Sequence, residues 1–172
     1  NKEGGEAALT SDREAIVLST TYRDVTWQFG GFYDRVGANF DPELGFLRRS
    51  DFQEVGGTAW RIIRVPRWTW LRELRPHTSF DVSYGLESEI KETYDWHIDL
   101  HVVWESGALF STATDLVYEG LTEPLRLTTG VDDQGERTFV DVAPGEYTGW
   151  LFTPRYSTST QAPVVVNTTL AI

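Results

Sequence analysis

Cysteine is absent from this 172-residue chain, which excludes disulfides and thiolate-bound metal. Methionine is absent too, so no initiator residue is present; the expectation is a trimmed chain or a part of something longer. Cationic residues are few, with 15 Lys and Arg against 26 Asp and Glu and a net charge of -11. That balance argues against a nucleic-acid partner and against electrostatic attachment to anionic lipid. No apolar run reaches the ~18 residues a transmembrane helix needs, which leaves strands as the only way across a bilayer. Amphipathic helices are missing as well. The nearest approach, Leu71-Arg72-Glu73-Leu74-Arg75, runs straight into Pro76.

Aromatic residues, by contrast, are plentiful: they make up 13% of the chain, with seven Trp, a composition that suits an interface. The first 14 residues are polar and Gly-rich and read as a flexible tail. Residues 15–172 then read as a single antiparallel β domain of about seven to nine strands, joined mostly by hairpins. Its one apparent interruption is a long loop at about 28–56, marked by glycines, Asn39 and the Asp41-Pro42 pair. Asp132-Asp133-Gln134-Gly135-Glu136 lacks calcium-loop spacing and reads as a hairpin tip.

The stretch Asp95 to Glu105, DWHIDLHVVWE, sets the functional question. Trp96, Ile98, Leu100, Val102 and Trp104 alternate with His97, Asp99 and His101, so a strand here has one apolar and one ionisable face. Residues 77–87 behave likewise, with Phe80, Val82, Tyr84 and Leu86 on one side. Trp96 and Trp104 are spaced as aromatic belts are on a transmembrane strand. A soluble β-sandwich makes the same alternation with its apolar face turned inward. The pattern leaves both open: a partial or small β-barrel, or a sandwich.

Several short motifs occur in order: Pro42-Glu43-Leu44-Gly45-Phe46, Arg48-Arg49, Arg72-Glu73-Leu74-Arg75-Pro76-His77, and Glu119-Gly120-Leu121-Thr122-Glu123-Pro124-Leu125. Through these, residues 15–172 resemble the barrel region of a family of uncharacterised bacterial outer-membrane proteins. Its members carry a family-9-type carbohydrate-binding domain before the barrel. The resemblance implies a cell-envelope location, in the outer membrane or periplasm of a Gram-negative-type bacterium. The sugar-binding domain has no counterpart here, so sugar binding is not carried over. Ile172 also departs from the aromatic final residue usual in outer-membrane barrels.

His97, Asp99 and His101 share one strand face and are candidate ligands for zinc or another divalent ion, with Glu87 or Asp81 as a further ligand; the alternative is an ordinary polar face. No cofactor is expected. A nucleophile elbow and a phosphate loop are both missing, and no carboxylate spacing is diagnostic of glycoside hydrolysis. Seven arginines fall between Arg48 and Arg75, which suggests ion pairing with Glu43, Asp51, Glu54 and Glu73, or a contact patch for an acidic partner or headgroups. Trp60, Trp68, Trp70, Trp96, Trp104 and Trp150, with Phe80, Tyr84 and Leu100, are the candidate membrane belt or protein interface. The expected function is non-catalytic: an outer-membrane barrel segment that anchors or gives passage, with the lipid bilayer as its partner. One alternative is a structural subunit built from a partial-barrel sheet, docked on a larger membrane protein assembly. A third reading is a carbohydrate-handling module.

Overall fold

Runs of β-branched and aromatic residues, broken by Gly, Pro and Asp, build ten strands in the computed structural model, which describes residues 11–42, 50–88 and 90–172. After one 3-10 turn at Ser11–Arg13 come β1 (Ala15–Arg23), β2 (Trp27–Val36), β3 (Phe52–Arg61), β4 (Leu71–Gly85) and β5 (Lys91–Trp104). Then follow β6 (Leu109–Leu121), β7 (Leu125–Val131), β8 (Arg137–Val142), β9 (Gly145–Ser157) and β10 (Asn167–Thr169). Eight of them form one antiparallel sheet in the order β1-β2-β3-β4-β5-β6-β9-β10, and β7 pairs with β8 alone. The all-β antiparallel meander expected from the alternation is present. The sheet is open: among the described residues β1 pairs only with β2, and β10 only with β9.

One expectation is corrected. The two ends of the long loop placed at about 28–56 are strand, residues 28–36 in β2 and 52–56 in β3, which pair as a hairpin with Trp27 opposite Arg61 and Val36 opposite Phe52. Its glycines are not breakers. They meet in mid-strand, Gly31 opposite Gly57, Gly30 opposite Thr58 and Phe32 opposite Gly56. A side chain at Gly56 would run into the Phe32 ring and the Phe80 carbonyl, so the small residue admits a close approach. The Leu71–Arg75 stretch, the nearest approach to a helix in the sequence, is the start of β4. Residues 1–10 of the predicted tail lie outside the described residues, as do residues 43–49, with Glu43, Arg48 and Arg49 and most of the first resemblance motif.

No helix among the described residues is long and apolar enough to cross a membrane, which leaves strands untouched. The turns carry ordinary chemistry. Gly107 and Gly135 supply positive φ at two hairpin tips, and Asp132 Oδ1 accepts the Gln134 and Glu136 amides at the second. At the β1–β2 turn Asp24 Oδ1 accepts the Thr26 and Trp27 amides, each at 2.6 Å, while Tyr22 donates to Oδ2 at 2.8 Å. The Trp27 amide first, then the Thr26 amide and the Tyr22 hydroxyl, hold the Asp24 carboxyl below its usual value. A depressed folded value stabilises the turn above the ordinary carboxylate range and ceases to do so as pH falls through the depressed value. Amide exchange at Thr26 and Trp27 is therefore expected to quicken in acid, and Asp24→Asn is expected to flatten that dependence.

Candidate functional site

The two sheet faces differ in both polarity and shelter. On one face the cross-strand rows read Phe80–Trp96–Leu116–Trp150 and Val82–Tyr94–Tyr118, with Thr78–Ile98–Thr114–Phe152 beside them. This apolar face is the open one: Trp150 is 64% exposed, Ile98 44% and Leu100 39%. The other face carries Arg75, His77, Ser79, Asp81 and Ser83 on β4, opposite His101, Asp99, His97, Asp95 and Thr93 on β5. This polar face is the sheltered one, where Asp99 is 7% exposed, Ser83 3% and Glu73 4%. Polar side chains so enclosed call for partners; Ser83 Oγ and His77 Nδ1 have none among the described residues, but most of the others do. Glu73 pairs with both Arg75 and Arg64, and Asp99 Oδ1 accepts the Thr112 amide at 3.0 Å.

The candidate belt divides between the faces. Trp96, Phe80, Tyr84, Leu100, Trp104 and Trp150 share the apolar face through the cross-strand register. Trp104 meets the Tyr156 ring edge-on at 6.2 Å. Trp68 and Trp70 stack on each other at 5.8 Å in the connection before β4 and stand at the same end of the sheet, where Glu105 N–H donates to the Trp70 carbonyl. Trp60 is the correction: it opposes His77 and lies on the polar face, its ring stacked on the imidazole at 3.6 Å and 3°. On β5 the apolar face runs from Tyr94 to Trp104, ten steps of about 3.4 Å. At a barrel tilt of ~40° that length projects to about 26 Å, close to the ~25 Å apolar band of outer-membrane barrels. An open trough of ≈ 550 Å³ lies across β3–β6, lined by Trp27, Ala59, Thr78, Ile98, Leu100 and Thr112 and also by Trp60, His77 and Asp99.

The ionisable residues converge, with a changed membership. His97 Nδ1 lies 2.5 Å from Asp115 Oδ1, and its Nε2 lies 3.1 Å from His77 Nε2. His101 Nε2 contacts Asp99 Oδ2 at 2.9 Å. The ligand atoms of His77, His97 and Asp99 all fall within 4.8 Å of one another. The expected third member, His101, is instead a partner of Asp99, and His77 takes its place. Glu87, one of the proposed extra ligands, sits in the β4–β5 turn, where its amide donates to Asp51. Asp81 opposes Asp95, two pairings beyond Ser79–His97 and on the same face. His77 was findable: its two-residue spacing from Ser79, Asp81 and Ser83 puts it on their face.

Of the arginines outside the undescribed segment, Arg64 and Arg75 pair with Glu73, Arg72 pairs with Glu105 at 3.6 Å, and Arg61 lies over the Trp27 ring at 5.0 Å. Local pairing thus engages four of them. Comparison with family models, with curated proteins and with solved structures finds no match to this chain.

Proposed function

We infer that the chain is wall rather than catalyst: a segment of an outer-membrane β-barrel, anchoring or giving passage, with its apolar face to lipid and its polar face to a lumen. The carrying observation is the contrast in shelter, with Asp99 sheltered and Ile98 and Leu100 beside it open. In water such a face is unfavourable at roughly 25 cal/mol per Å² of apolar surface, and contiguous patches of this kind mark a membrane or a partner. In lipid every backbone group must be paired within the protein, which an antiparallel meander achieves between its margins. The two margins, at β1 and β10, call for further strands or for cover. The aromatic rows near Tyr94 and Trp104 point the same way, and the reading carries with it a cell-envelope location.

Tryptophan emission tests this reading. Adding liposomes to the refolded chain is expected to shift emission to the blue, and brominated acyl chains are expected to quench Trp96 and Trp150 but leave Trp60 untouched. A chain that stays soluble and monomeric without detergent, with emission indifferent to lipid, would rule the membrane wall out.

The trough favours a second reading, in which the same face docks on a larger membrane-associated assembly as a structural subunit. Small side chains between Trp27 and Leu100 leave a recess that a partner's side chains fill. Copurification with a stoichiometric partner that protects Ile98 and Leu100 from labelling would select this reading over lipid.

A further inference from the structure

His77, His97 and Asp99 bring three metal-ligating atoms together on the sheltered face, from two adjacent strands. Strand geometry explains how. His77 stands directly opposite Asp99, and His97 lies diagonally from His77, so all three project to one side of the β4–β5 ladder. Each then has an orienting contact. The Asp115 carboxylate engages Nδ1 of His97 and so orients the ring with Nε2 toward His77. Asp99 is held by the Thr112 amide on one oxygen and by His101 on the other. The Trp60 ring fixes the plane of His77 by stacking on it.

We propose that this cluster binds one divalent transition ion of the zinc, nickel or copper class through His77 Nε2, His97 Nε2 and an Asp99 oxygen. Ligands at about 2.0–2.1 Å in tetrahedral array stand roughly 3.3 Å apart. The two imidazole nitrogens are 3.1 Å apart, near that separation, and the Asp99 oxygen lies within 4.8 Å of both, so a small side-chain adjustment brings all three to an ion. Two imidazoles and a carboxylate suit borderline metals and not calcium or magnesium. The carboxylate–histidine contact from Asp115 is the outer-shell arrangement that metal-binding histidines ordinarily have. Three protein ligands leave a fourth position for water. The site is independent of whether lipid or protein covers the opposite face.

The test uses the full, tag-free chain refolded in detergent and stripped with chelator. Calorimetric titration with Zn2+ is expected to show one ion per chain, with micromolar or tighter affinity. His77→Ala and His97→Ala are expected to abolish that binding, and Asp115→Asn to weaken it about 10- to 100-fold at unchanged stoichiometry. Far-UV circular dichroism checks that each variant is folded. Electron paramagnetic resonance of Cu2+ on the unaltered chain needs no variant and is expected to show coupling to two imidazole nitrogens. Absence of binding by the folded chain, a folded double His variant that binds as tightly, or a Cu2+ signal without nitrogen coupling would each overturn the site.

Discussion

Leu100→Arg is expected to block assembly into liposomes while leaving the chain soluble in denaturant and able to start refolding. Leu100 lies on the open apolar face, between Ile98 and Val102 and opposite Pro76 and Thr112. It stands four residues from Trp104 and six from Tyr94, and so is close to the middle of the band. An arginine at the midplane of a barrel costs about 2–4 kcal/mol, falling toward zero at the interfaces. The contrast is positional. Gln28→Glu, on the polar face opposite Trp60, adds a charge without placing it in lipid and is expected to assemble normally. Equal insertion of both variants, measured by protease protection or heat-modifiable migration, would mean that Leu100 does not face hydrocarbon. If the docking reading holds instead, Leu100→Arg leaves the isolated chain folded and removes only its partner.

Gly56→Ala is expected to destabilise the sheet by about 1–3 kcal/mol, the usual cost of overpacking. The added Cβ would lie within contact of the Phe32 ring on one side and 2.7 Å from the Phe80 carbonyl oxygen on the other. The ring can move and the carbonyl cannot, because it belongs to the β3–β4 ladder. Phe32→Ala in the Gly56→Ala background is therefore expected to recover part of the loss and not all of it. A double-mutant cycle by denaturant unfolding in detergent measures that coupling. Full additivity would show that the ring and the glycine do not share the space.

Alternation made much of this structure readable in advance. Trp96 to Trp104 and Phe80 to Tyr84 announced strands, and their shared faces follow from period two alone. The direction in which those faces look was not readable, because shelter is a property of neighbours. Asp99 is covered by residues of β6, thirteen and more positions away, which only register supplies. Trp60 failed for a related reason. The stretch Ala59-Trp60-Arg61-Ile62 has bulky side chains at both parities, and its pairing with His77 assigns the face. The β2–β3 hairpin was hidden by Gly30, Gly31, Gly56 and Gly57, whose usual meaning is a turn. Gly31 faces Gly57 across the two strands, and Gly56 and Gly57 make room for Phe32 and Phe80 instead. For the metal cluster, Asp99 and His97 were legible on their own strand, and His77 needed the neighbouring strand's phase to be carried across.

The strand order has a kinetic corollary. Except where β9 rejoins β6 after the β7–β8 excursion, every strand of the large sheet hydrogen-bonds to its immediate predecessor in the chain. Loop closure over such short separations is cheap in entropy. Growth can then proceed like a zipper, each hairpin laying down its ladder on the one before. A sheet assembled in this way gains or loses a hairpin at a margin without rewiring its middle, so the β4–β5 ladder that carries His77, His97 and Asp99 keeps its register whatever is added at either end.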